Sequence, residues 1–191
     1  MNQNNWVPAN PAPLGLAAFG LTTLVLSLVN ANLINQGDAP VVLGMAFAYG
    51  GLAQLLAGMW EFRTGNTFGA VAFTTYGAFW ISAWLLLTQY AKLIPPSAVP
   101  SALGAYFWAW AVITALLFLC SFRQPIGVIL VFLALTVTFV LLGIGHAGGS
   151  LKTIHAGGWA GLITAGLALY CVAGGIMKHQ YDKPILPFTV K

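Results

Sequence analysis

The sequence predicts an all-α integral membrane protein folded as a bundle of six transmembrane helices. Hydrophobic residues fill 59% of its 191 positions and charged residues only 5%, whereas about a quarter of an ordinary soluble domain is charged. Mean hydropathy is +0.86, and the few charges fall between or after long apolar runs, so lipid is the natural solvent for most of this surface. Six of these runs reach the ~20 residues that a helix needs to cross the hydrocarbon core. A closed β-barrel is the other structure that can span lipid, but its strands are about 10 residues long with alternating polarity. These runs are continuously apolar and far longer.

The first run, 14–34, follows a segment with no Lys or Arg, which a cleaved secretory leader would need, so this helix is expected to stay in the protein. On it Gly15, Phe19, Thr23, Ser27 and Asn30 follow steps of four, four, four and three and share one face. Back-bonding to the helix would account for any single hydroxyl. One aromatic and three hydrogen-bonding side chains in a row point instead to a lumen.

After Gly37-Asp38-Ala39-Pro40 comes the second run, 41–60. There Ala46, Gly50, Gln54 and Gly58 repeat at steps of four, a small-residue stripe expected to be a helix contact. The amide of Gln54 is too costly to turn toward lipid and must find a partner helix or a watery path. Arg63-Thr64-Gly65-Asn66 leads into the third run, 68–90, where Thr75, Phe79 and Ser82 share one stripe and Tyr76 and Trp80 the next. Pro95-Pro96 precedes the fourth run, 102–122. Arg123-Gln124-Pro125 precedes the fifth, 126–144, which carries Thr136 and Thr138 beside Leu135. In the sixth, 154–177, Gly157, Gly161 and Ala165 form a second small-residue stripe, expected to pack helices or subunits. Asn66 is placed to cap the third helix, and Pro13 to sit in the first turn of the first. Trp60, Trp84 and Trp159 fall near run ends, where the ring of Trp prefers the membrane interface.

Three regions follow: an N-terminal segment 1–13, a six-helix domain 14–177 and a tail 178–191. An even number of spans puts both termini on one side, together with Arg63, Arg123, Lys178, Lys183 and Lys191; Lys92 and Lys152 lie opposite. The positive-inside rule therefore expects cytoplasmic termini. Seven Lys and Arg are too sparse for a phosphate-tracking surface, so no nucleic-acid partner is expected. Cys120 and Cys171 sit inside apolar runs, unlike a disulfide framework. His146 and His155 are nine residues apart, which on one helix means opposite faces, so no metal site is expected. No carboxylate pair or nucleophile motif is present, no cofactor is implied, and an enzyme is not expected. Glu61 lies just past the second run, and no Asp, Glu or Lys within a run offers a proton carrier.

At the entrance to the first run stands Asn10-Pro11-Ala12-Pro13-Leu14-Gly15-Leu16, followed by Phe19-Gly20 and Thr22-Thr23. A second block is Tyr49-Gly50-Gly51 with Gln54 and Gly58, then Gly65-Asn66-Thr67-Phe68-Gly69 and Phe73-Thr74-Thr75-Tyr76-Gly77. A third is Leu135-Thr136-Val137 with His155 and Gly158-Trp159. Together these resemble the signature of the acetate uptake transporter family, also called the succinate-acetate permease family. The resemblance implies a homo-hexamer of six-helix protomers in the cell (plasma or inner) membrane, each with its own path for acetate or a similar small carboxylate such as succinate. It also implies a constriction at a Phe, a Tyr and a Leu, which match Phe19, Tyr76 and Leu135. Beside it, Thr23, Ser27 and Asn30 are expected to solvate the carboxylate while the Tyr76 hydroxyl donates to it, with Gln54, Thr75 and Thr136 as further polar lining. The chain departs from the enteric bacterial pattern in its first outer loop, 35–40, and at His146, so substrate preference is where it would differ. A channel for another small solute, ammonium or water, and a noncatalytic membrane scaffold are the competing expectations.

Overall fold

The structure, a computed structural model, describes residues 8–190; residues 1–7 of the expected N-terminal segment, and Lys191 of the tail, lie outside them. Every regular element among the described residues is helical. Among these residues six helices are long and apolar enough to cross a membrane: α1 (Ala12–Asn30), α2 (Val41–Thr64), α3 (Thr67–Leu93), α4 (Pro96–Arg123), α5 (Ile126–Ala147) and α6 (Leu151–Tyr181). Each overlaps one of the six apolar runs, in order.

The helix ends differ from the run ends for local reasons. α1 stops at Asn30 rather than 34 because Asn32 adopts a left-handed φ of 58°, which breaks a right-handed helix. α4 starts at Pro96, ahead of its run, because Pro96 and Pro100 fall in opening turns, where a missing N–H costs no hydrogen bond. Ser150 caps α6 by accepting from the Thr153 N–H at 3.4 Å. That helix has 31 residues, about 46 Å at ~1.5 Å per residue, more than the ~30 Å hydrocarbon core, so it projects beyond the membrane. Lys178 and His179 lie in its last turn. Between α2 and α3 the chain turns sharply: Gly65 takes φ +78°, a conformation that glycine alone adopts without a Cβ clash. Asn66 then caps α3 through Oδ1, which accepts from the Gly69 N–H at 3.1 Å. α2 widens into π turns over Ala46–Ala53, as α3 does over Leu86–Tyr90.

The helices form a ring. α1 packs along α6, α6 against α5 and α5 against α4; on its other side α1 meets α2, and α2 meets α3. The ring closes between α3 and α4, where the Tyr76 hydroxyl donates to Thr114 Oγ1 at 2.9 Å and the Phe79 and Trp110 rings meet edge to face at 4.9 Å. Phe19, Tyr76, Phe79, Phe132, Leu135 and Phe139 are buried inside it. Outward, α4 exposes Trp108, Val112, Leu116 and Leu119, an apolar stripe suited to lipid or to another membrane helix.

Both small-residue stripes are helix contacts within the bundle. A Cβ on Gly58 would lie 2.7 Å from the Thr74 backbone nitrogen, one on Gly161 would lie 3.1 Å from the Ser27 Cβ, and one on Gly157 would lie 2.9 Å from a Leu142 methyl. Close approach of this kind supplies packing where burying Leu against Leu in lipid gains little.

Candidate transport path

Phe19 of α1, Tyr76 of α3 and Leu135 of α5 converge inside the ring, each 3% exposed. The Phe19 and Tyr76 ring centroids are 5.6 Å apart with planes inclined at 52°, and Phe132 stands 6.1 Å from Tyr76. Toward the end of the bundle that holds both termini lies a cavity of about 70 Å³ whose walls include Leu16, Phe19, Gln54, Asn66, Tyr76 and Leu135. Toward the other end lies one of about 20 Å³, whose walls include Phe19, Thr23, Ser27, Asn30, Leu135 and Thr138. A water needs roughly 10–15 Å³ of such space, so the first, proximal cavity has room for several waters and the second, distal one for about one. Phe19 and Leu135 line both cavities. They are the partition between two pockets in series, with the Tyr76 ring on its proximal side. A wider recess of about 340 Å³ continues from the proximal cavity, sharing Ala12, Leu16, Gln124 and Val128 with it and adding Asn10, Lys178 and Thr189. It forms a vestibule at the terminal end.

The polar face of α1 borders the distal cavity. Thr23, Ser27 and Asn30 all line it, and Thr23 Oγ1 is buried without a partner. Gln54 lines the proximal cavity; it is 1% exposed, and its amide oxygen also has no partner. Leaving a buried acceptor unpaired costs about 1–3 kcal/mol, so unpaired oxygens along cavities mark where water or a polar solute would be held.

Other expected lining residues lie elsewhere. Thr75 is half-buried and lines neither cavity. Thr136 donates to the Phe132 carbonyl at 2.7 Å and also lines neither. Thr138 takes that place, lining the distal cavity while donating to the Ala134 carbonyl at 2.8 Å. Residues three apart share a helix face, and the neighbour of Leu135 is turned about 100° away. The Tyr76 hydroxyl, expected to meet the cargo, donates to Thr114 Oγ1, which donates in turn to the Trp110 carbonyl at 2.6 Å. Thr114 is fully buried, and its sequence context carried no signal of this bond.

The motif residues organise helix starts beside the proximal cavity. Asn10 Oδ1 accepts from the Ala12 N–H at 3.0 Å, Pro11 is the N-cap of α1 and Pro13 sits in its opening turn. Gly15 makes room for the Phe73 ring, which a Cβ would approach to 2.7 Å. Asn66 lines the cavity while capping α3, and Thr67 opens that helix exposed.

Sequence reasoning missed Glu61. α2 runs on to Thr64 and draws this side chain inside, 1% exposed. Its Oε2 accepts from Asn66 Nδ2 at 2.8 Å and from Thr64 Oγ1 at 3.2 Å, while Oε1 is buried without a partner. The seven-residue spacing from Gln54, two helical turns along one face, was the available signal. His146 and His155 stand on separate helices, α5 and α6. Among the described residues no group of three or more His, Cys, Asp or Glu could hold a metal ion.

Comparison with known proteins agrees with this architecture. The sequence model of the GPR1/FUN34/yaaH family matches residues 3–188. The chain is 40% identical over 181 residues to the succinate-acetate/proton symporter SatP of Escherichia coli K12, covering 94% of each chain. It is 39% identical over 194 residues to acetate permease A of Emericella nidulans, covering 94% of this chain and 65% of that one. Its structure superposes on that of the bacterial acetate channel SatP with a TM-score of 0.89 at 38% identity, covering 95% of this chain and 99% of the other. By sequence and by fold alike, the chain belongs to the GPR1/FUN34/yaaH family.

Proposed function

We propose that this protein moves acetate, and small dicarboxylates such as succinate, across a cell membrane by a path inside each six-helix protomer. The path runs from the vestibule through the proximal cavity, past Phe19, Tyr76 and Leu135, into the distal cavity. The observation that carries this reading is the pair of cavities in series that share Phe19 and Leu135 as their partition. The names of the relatives, a succinate-acetate/proton symporter and an acetate permease, support the cargo.

The chemistry suits a small carboxylate. Even on the mildest scale a side-chain charge at the bilayer centre costs about 2.5–3.5 kcal/mol, so the path must supply dipoles. Gln54 does so on the proximal side; Thr23, Ser27 and Asn30 do so on the distal side. The aromatic and aliphatic walls between them accept a methyl or methylene tail. Weak neutral dipoles in sequence favour passage over retention, because conduction needs sites that release their occupant. The proposed assembly is a hexamer in the plasma or inner membrane, with 14–177 as the transmembrane unit and the 178–191 tail in the cytoplasm.

The test is uptake of labelled acetate by liposomes containing the purified protein, with unlabelled acetate, succinate and ammonium as competitors. Saturable uptake displaced by acetate and succinate is expected. Uptake no faster than in protein-free liposomes would leave only a scaffold, and displacement by ammonium alone would assign a different solute.

A further inference from the structure

Among the described residues Glu61 is the one buried carboxylate: the other two acidic residues, Asp38 and Asp182, are exposed. Its two oxygens are treated unequally. Both donors that reach the carboxyl, Asn66 Nδ2 and Thr64 Oγ1, go to Oε2, and Oε1 has no partner. A structural anchor would use Oε2 alone and has no need of a charge.

The surroundings connect this group to the path. The carboxyl carbon lies directly behind Gly69, where a Cβ would come within 2.8 Å of it, and Gly69 and Asn66 are walls of the proximal cavity. Two further unpartnered oxygens lie along the same α2–α3 seam, Thr74 Oγ1 and Gln54 Oε1. Gln54 and Glu61 share a face of α2, and Gly58 between them rests against the Thr74 hydroxyl. Unsatisfied oxygens thus run from the end of α2 to the wall of the cavity. Among the elements packed against this part of α2, α1 carries no titratable side chain; α3 carries Tyr76 and, in its last turns, Tyr90 and Lys92. The earlier turns of α2 hold Tyr49, and Arg63 lies two residues beyond Glu61 and is exposed, as is Arg123 beside the cavity-lining Gln124.

We propose that Glu61 is the proton-binding residue of the transport cycle, its protonation state setting whether the proximal cavity admits an anion. The proposal rests on the transport reading above. A hydronium ion of the cavity gives up one proton and leaves as water, and an O–H bond forms at Oε1 while Oε2 keeps its two donors. The carboxyl is then neutral and the cavity accepts a carboxylate. When a water of the cavity takes the proton back and leaves as hydronium, a negative charge stands behind Asn66 and Gly69 and repels the anion, so occupancy of the cavity and of Oε1 rise and fall together.

The test follows acetate uptake into liposomes against pH at constant acetate anion concentration, with the protein-free rate subtracted. Wild-type flux is expected to rise as the medium is acidified; Glu61→Gln, which preserves the acceptor for Asn66 but binds no proton there, is expected to give a flat profile. Glu61→Asp should restore a slope. An independent readout is the infrared carbonyl band of a protonated carboxyl, which in the wild type should titrate over the pH range in which flux changes. A Glu61→Gln profile that matches the wild type overturns the inference and leaves the transport reading standing. A wild-type spectrum with no protonated-carboxyl band in that range overturns it even where the variant does not fold. Absence of acetate uptake by the wild type overturns both.

Discussion

Phe19 and Leu135 belong to both cavities, so their side chains stand between two pockets that already exist on either side. Truncating Phe19 to Ala should join the pockets without unfolding the bundle, since the ring borders space on two sides. The expected result is severalfold faster acetate uptake and a larger proportional gain for succinate, with an unchanged size-exclusion profile. Tyr76 behaves differently. Its hydroxyl belongs to the α3–α4 contact through Thr114, so Tyr76→Phe should lower stability by about 1 kcal/mol, the usual net worth of one hydrogen bond, while changing flux far less than Phe19→Ala. Thr114→Val should cost a similar amount, and the double variant less than the sum, because the two groups share one bond; thermal unfolding in detergent measures all three. Sequence spacing made the α1 stripe legible because four residues on one helix reinforce each other. The same spacing separates Thr138, three residues from Leu135 and on its face, from Thr136, which is turned about 100° away, but only once Leu135 is placed on the path. Glu61 was legible only in its seven-residue spacing from Gln54: hydropathy ended the second run before it, and the extension of α2 to Thr64 depends on the Gly65 turn and the Asn66 cap rather than on apolar character.

At the scale of the element, the contact between α1 and α6 decides whether Ser27 and Asn30 keep their positions. Gly158 lies against the backbone of Asn30 and Ala31, and Gly161 against Ser27 Oγ. Backbone cannot retreat as a flexible side chain can, so Gly158→Ala should force the helices apart at a cost of about 1–3 kcal/mol, typical of overpacking. On the same helix Gly166 has nothing within 4 Å of a Cβ. Gly166→Ala should therefore be neutral or slightly stabilising through better helix propensity. A melting temperature that falls for the first variant and holds for the second would establish the contact; equal shifts would refute it. Apolar runs and small-residue spacing located all six helices and both stripes. The π turns over Ala46–Ala53 left no trace in hydropathy, because widening a helix changes its hydrogen-bond step rather than its composition.

For the whole molecule, the six-helix count makes the location of one terminus decide the location of every loop. The connections after α2 and α4 share a side with both termini, and that side carries Arg63, Arg123, Lys178 and Lys183, against Lys92 and Lys152 opposite. Lys178 sits near the end of α6, where that long helix leaves the hydrocarbon layer, so its charge counts toward orientation together with the two arginines; Lys183 follows the last helix. The same topology puts the vestibule, the proximal cavity and Glu61 at the terminal end, so orientation also decides which compartment controls proton access. Positive charge beside spans is held on the cytoplasmic side, and the vestibule should open there. A C-terminal fusion to green fluorescent protein is expected to fluoresce and one to periplasmic alkaline phosphatase to be inactive. In oriented vesicles, a thiol reagent confined to the cytoplasmic face should label Gln124→Cys, whose residue lines both the vestibule and the proximal cavity. Labelling from the opposite face alone would invert the bundle and move control of Glu61 to the other compartment.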